Sequence, residues 1–80
     1  MINEEVKQDI SDIIIKTLGH KEWEIEDDFT NDLGFDSLDM YNFYMDVESH
    51  FKISINEYDM EGMAKPLDVM NFVESRLKYV

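Results

Sequence analysis

Three runs of the chain repeat apolar residues at helical spacing, and one long stretch does not. Val6, Ile10, Ile13, Ile14 and Leu18 recur at intervals of three and four, one face of an amphipathic helix. Lys7, Gln8, Asp12 and Lys16 take its opposite face, and Gly19 supplies a C-terminal stop. Residues 20–36 place Trp23, Ile25, Phe29 and Leu33 irregularly among acids. That predicts a long loop pinned by a few buried side chains, a kind of loop that is usually functional. A second helix is expected from Ser37 to Phe51, with Asp36 or Ser37 as its N-cap. A connector over 52–56 leads to a helical turn near Glu57 to Met63, with Gly62 near its end. Pro66, a favoured first-turn residue, opens a last helix whose Leu67, Met70, Val73 and Leu77 share a face. Nothing repeats, and no segment reads as a strand. The expectation is one all-α domain over 1–80: a four-helix bundle of three longer helices and a short third one, with the long loop between helices one and two.

The second helix carries more apolar surface than one core face needs. With Leu38 at 0° and about 100° per residue, Met40, Phe43, Tyr44, Val47 and Phe51 fall between about 140° and 240°, a normal core stripe. Leu38, Tyr41 and Met45 fall between about 300° and 360°, a second strip edged by Glu48. Asp39, Asn42, Asp46 and Ser49 fill the polar sector. A stripe this wide is either buried between three neighbours or exposed in part as a docking strip; an apolar strip rimmed by carboxylates favours the contact surface.

Charge sharpens this picture. Acids outnumber bases 19 to 7, a formal net charge of −12. Repulsion excludes nucleic acid and anionic membrane surfaces as partners, argues for a monomer, and favours partners with basic docking faces. Glu22 to Phe51 contains ten acids and not one Lys or Arg. Apolar residues make up 44% of the chain and include five Phe, four Tyr and one Trp, so this is a folding sequence and not a disordered acidic tail. No apolar run approaches a membrane span, and the polar segment from Met1 to Ser11 is unlike a signal peptide, which points to the cytoplasm.

Little catalytic chemistry is available. With no cysteine, disulfides, thiolate zinc sites and thiol nucleophiles are excluded, and His20 and His50 are too few for a zinc centre. Ser37 lacks the Gly-x-Ser-x-Gly surroundings of a hydrolase nucleophile. A calcium loop beginning at Asp28 fails on register, because its turn glycine would be Leu33, with Gly34 one residue late. No metal site and no enzyme activity are expected. Ser37 does stand at a helix start beside a glycine-containing loop, where N–H groups and the helix dipole favour an attached phosphate.

The run Leu33-Gly34-Phe35-Asp36-Ser37-Leu38-Asp39 resembles the prosthetic-group attachment motif of acyl carrier proteins, Leu-Gly-x-Asp-Ser-Leu. The resemblance extends over nearly the whole chain, through the order of helices, the acidic second helix and the Ile53-x-Ile55 connector. It implies a bundle of the acyl-carrier type, with no catalysis of its own. It also implies a 4′-phosphopantetheine from coenzyme A, attached at Ser37 by a phosphopantetheinyl transferase, with Asp36 and Leu38 beside it. Acyl intermediates would ride the arm as thioesters to fatty-acid, polyketide or related acyl-loading and acyl-processing enzymes. Docking would fall on Leu38, Asp39, Tyr41, Met45 and Glu48. The acyl cavity would involve Phe43, Tyr44, Val47, Met63 and Val69.

The chain departs from the family's pattern where Tyr41-Asn42-Phe43-Tyr44 replaces small aliphatic residues, where Asn56 stands at a frequent proline, and where Pro66 opens the last helix. These changes point to a carrier dedicated to a restricted acyl group. An aminoacyl or peptidyl carrier loaded by an adenylating enzyme would use the same serine, and an unmodified acidic interaction module would share the pattern. Asp36 and the strong acidity favour the acyl type.

Overall fold

A computed structural model describes residues 3–19 and 22–77; His20 lies outside them. Four helices follow in order: α1 (Glu4–Leu18), α2 (Ser37–Phe51), α3 (Glu57–Glu61) and α4 (Pro66–Leu77), with no strand among the described residues. The all-α bundle expected from periodicity is the fold found.

Local chemistry fixes each boundary. Asn3 caps α1, its side-chain oxygen accepting the Glu5 N–H at 2.7 Å. Gly19 ends the helix at φ 74°, donating its N–H to the Ile15 carbonyl at 2.7 Å. Asp36, not Ser37, caps α2. Its carboxylate accepts the Asp39 N–H at 2.8 Å while Asp39 accepts the Asp36 N–H at 3.1 Å, a reciprocal box. Asn56 and Asp59 build the same box at the head of α3 (2.8 and 3.2 Å), which accounts for an asparagine at that position. At the head of α4, Asp68 accepts the N–H groups of Ala64 and Lys65, both at 3.1 Å. Helix α2 ends on Lys52 in the left-handed region, φ 57°. That conformation costs a non-glycine residue about 1 kcal/mol. Glu48 offsets the strain: its carbonyl accepts the Lys52 and Ile53 N–H groups, and its carboxylate accepts the N–H of buried Ile55 at 2.6 Å.

Helix α1 packs against both α2 and α4. Ile10, Ile14, Val47, Val69, Met70 and Val73 are fully buried where they meet. The buried face of α4 is Pro66, Val69, Met70 and Val73, rotated from the face expected. Leu67 is half-buried and Leu77 is exposed, so the core takes Met70 and Val73 from the expected face and leaves its two ends out.

The 22–36 segment is a loop, as its irregular pattern implied, but a tightly stitched one. Its Phe29 is buried, donates its N–H to the Ala64 carbonyl (2.9 Å) and accepts the Phe35 N–H (2.8 Å). The Leu67 N–H donates to the Ile25 carbonyl at 2.8 Å, a second tie to α4. Gly34, at φ 75°, makes the turn that returns Phe35 to the core. The ring of Phe29 lies 5.3 Å from Phe35 and 5.1 Å from Phe43, and Phe43 lies 5.7 Å from Tyr44, so one aromatic cluster joins the loop to α2. Tyr44 is buried, and its hydroxyl donates to the Met63 carbonyl at 3.2 Å, holding the α3–α4 link against α2. Burial, and secondarily the Asp68 carboxylate, raise the Tyr44 phenol above its usual pKa of 10.0.

Two outcomes follow for stability. Phe29→Ala should cost about 3–5 kcal/mol, enough to unfold much of so small a domain, as read by urea titration. Tyr44→Phe should cost about 1 kcal/mol at neutral pH. Because the folded phenol holds its proton more tightly than the unfolded one, that contribution is intact below pH about 10 and fades as pH rises towards the folded value. The gap in thermal melting between the parent and Tyr44→Phe should therefore narrow above pH about 10.

Candidate functional site

Ser37 occupies the first turn of α2 and is exposed. Since Asp36 closes the helix, the Ser37 hydroxyl is not consumed as a cap. The N–H groups of Ser37 and Leu38 are first-turn donors without acceptors one turn back. Asp36 and Asp39 flank the serine, but each carboxylate already accepts a backbone N–H. The chain arrives through the Gly34 turn and the buried Phe35 anchor, which leave the Ser37 backbone little freedom.

The second apolar strip of α2 lies on the surface, as the helical wheel predicted. Leu38 is 65% exposed, Tyr41 58% and Met45 45%. Phe43, Tyr44 and Val47 form the buried stripe on the other side, with Met40 and Phe51 half-buried at its edges. Of the strip's expected rim, Glu48 is partly withdrawn, its carboxylate being bonded to the Ile55 N–H. Asp46 faces Lys16 at 3.5 Å, an exposed pair of small energetic weight.

The acids of the preceding loop serve the backbone too. Asp27 accepts the Glu24 N–H at 2.8 Å, Asp28 those of Thr30 and Asn31 at 2.9 Å, and Asp32 that of Asp28 at 2.7 Å. Each of these carboxylates is thus committed to a backbone N–H of the loop. Among the described residues, no three His, Asp or Glu side chains converge to hold a metal.

An open groove of about 500 Å³ lies beside Ser37. Phe35, Met40, Tyr41, Tyr44 and Met60 form its apolar lining, and Ser37 itself borders it with Thr30 and Asp36. Of the five residues expected around an acyl cavity, only Tyr44 reaches this groove. Phe43, Val47 and Val69 are packed in the core, and Met63 borders a separate depression between α3 and α4. Phe35, Met40 and Met60 were not anticipated as lining residues. The loop, α2 and α3 contribute one or more residues each, and no single-helix periodicity joins positions 35, 40 and 60.

An exposed, uncommitted hydroxyl at a helix N-terminus, with an apolar groove at its side, fits a phosphate-linked arm bearing apolar cargo. The chain has no cysteine, so any thioester must form on a thiol that such a group brings with it. When bound, 4′-phosphopantetheine supplies that terminal thiol.

Comparison with known proteins agrees with this geometry. Residues 8–73 match the family described as "Phosphopantetheine attachment site". The acyl carrier protein of Chloroherpeton thalassium is 38% identical over 80 residues, spanning 98% of this chain and 100% of the relative. That of Thermotoga maritima is 32% identical over 92% of this chain and 94% of its own. Among solved structures, one described as a candidate acyl carrier protein from Anaplasma phagocytophilum superposes with a TM-score of 0.88 at 22% identity, covering 95% of this chain and 92% of that one. Another, from Mycobacterium tuberculosis, reaches 0.77 at 23% identity over 90% and 96%. At these identities the two structures speak for the fold alone. Family match and full-length relatives together identify the chain as a member of the acyl carrier protein family, a carrier of acyl groups on 4′-phosphopantetheine and not an enzyme.

Proposed function

We propose that Ser37 is the attachment residue and that the exposed strip of α2 is the face its enzymes read. One observation carries the first part: the cap of α2 is Asp36, which leaves an exposed serine hydroxyl spare at the mouth of an apolar groove. In the loading step, the Ser37 oxygen forms a bond to phosphorus as the pyrophosphate bond of coenzyme A breaks. The adenosine bisphosphate leaves, and the hydroxyl proton passes to a base on the phosphopantetheinyl transferase.

Leu38, Tyr41 and Met45 offer an anchor that a partner can bury, and Asp39, together with the free edge of Glu48, supplies charge around it. At −12 the whole body repels copies of itself and attracts basic surfaces, which supports a monomer visiting several enzymes in fast, salt-sensitive encounters. The aromatic residues in the middle of α2 support a dedicated carrier over a general one. The relatives' names support the acyl type over the aminoacyl type.

Intact mass measured after incubation with coenzyme A, magnesium and a broad-specificity transferase should rise by one phosphopantetheine, and Ser37→Ala should show no gain. A gain in the alanine variant would remove Ser37 from the role. Leu38→Ala and Met45→Ala should each lower the transferase's kcat/KM by roughly 5- to 30-fold, a hot-spot effect of about 1–2 kcal/mol, with melting temperature nearly unchanged. Raising salt from about 0.05 to 0.5 M should slow loading of the parent as well. Rates insensitive to both would move the docking face elsewhere.

A further inference from the structure

The groove beside Ser37 has a composition that a general apolar seat would not need. Three of its five apolar lining residues are aromatic (Phe35, Tyr41 and Tyr44), and the other two are thioethers, Met40 and Met60. Behind Phe35 and Tyr44 the rings continue inward: Phe43 lies 5.7 Å from Tyr44 and 6.4 Å from Phe35, and Phe29 lies 5.1 Å from Phe43. Phe29 and Phe43 are almost wholly buried. The rings thus run without a break from the groove's lining into the core that also holds Val47, Val69 and Val73. The Tyr44 ring is held in place from both ends, by its backbone on α2 and by its hydroxyl on the Met63 carbonyl. A chain lying in the groove therefore meets the Phe35 and Tyr44 rings, and Tyr44 cannot swing aside without losing that bond.

As a seat for arm-borne cargo, this groove is one that, we propose, Tyr44 makes selective for flat aromatic or conjugated acyl groups over long saturated chains. This rests on Ser37 as the tether point. Flat π-systems gain offset stacking on the tyrosine and phenylalanine rings and contacts with the methionine sulfurs, in addition to the burial that any apolar group gains. A long saturated chain gains burial alone. Tethering at the groove's edge gives the cargo a local concentration of order 1 mM, so an intrinsic dissociation constant in the millimolar range half-fills the seat and still lets the cargo go. A carrier needs both properties.

Because the chain has no cysteine, Ser37→Cys gives a single thiol that can be loaded without any transferase. Two iodoacetamide probes with the same spacer are attached to it, one ending in a benzoyl amide and one in a myristoyl amide. The readouts are methyl NMR shifts of Met40, Met60, Val47 and Val69, together with melting temperature. The benzoyl probe should move the Met40 and Met60 methyls, leave Val47 and Val69 in place, and raise Tm by about 2–4 °C. The myristoyl probe should give a smaller rise. Adding Tyr44→Leu should reverse the order and let the myristoyl probe reach Val47 and Val69. Should that variant not fold, Tyr41→Ala, at a mostly exposed position, should at least halve the benzoyl-induced rise in Tm while changing the myristoyl one little. A myristoyl probe that moves Val47 and Val69 in the otherwise unchanged chain, or a benzoyl probe that leaves Met40 and Met60 unmoved, overturns the proposal. A benzoyl probe that seats in a chain which gains no mass from coenzyme A keeps the groove's selectivity and removes Ser37 as the natural attachment point, so the two readings fail separately.

Discussion

The site depends on how Phe29 is held. Its ring is buried between Phe35 and Phe43, its N–H is bonded to the Ala64 carbonyl, and its carbonyl accepts the Phe35 N–H. One residue thus ties the long loop to the chain ahead of α4, to the core face of α2 and to its own return turn. A loop of this length would otherwise lose much of its order to conformational entropy. Here the rings of Phe29 and Phe35 set where the loop ends, and so where Asp36 meets α2 and where Ser37 faces.

The carboxylates have two uses in one small body. Asp27, Asp28, Asp32, Asp36, Asp39 and Glu48 all accept backbone N–H groups, replacing the ladder bonds that loops and helix starts lack. Their negative charge remains, and in a chain with few bases it sums to a field over the α2 side of the molecule. The acids that shape the loop and cap the helix therefore also give the body a field that favours basic surfaces over other copies of itself, at a cost in self-repulsion.

Between α2 and α3 the structure is at its least consolidated. Helix α3 is short and buries no residue fully. It is held by Tyr44 through Met63, and by Arg76, which stacks 4.6 Å from the Phe72 ring centroid, pairs with Asp59 at 3.3 Å and donates to the Ser54 carbonyl. Few buried contacts place this wall at the low end of local stability, where a groove can widen without unfolding the bundle. The aromatic cluster on the α2 side is rigid by comparison. A firm floor and a yielding wall suit cargo that must be seated and released.

The sequence by itself determined the helices, the exposure of Leu38, Tyr41 and Met45, and the placement of a serine at the start of α2. Each of these rests on interactions within one helix or its caps, where spacing along the chain translates directly into position in space. It left the cap of α2 shared between Asp36 and Ser37, and it turned α4 towards Leu67 and Leu77. A wheel shows which residues share a face, but not which face the neighbouring elements cover. Only tertiary structure decided that Glu48 would bond its carboxylate to the Ile55 N–H, that Phe43, Val47 and Val69 would be packed in the core, and that Phe35, Met40, Tyr44 and Met60 would meet beside Ser37. Those outcomes depend on contacts between segments far apart in sequence. Their geometry is set by how the loop's rings pack under α2, which no local periodicity encodes.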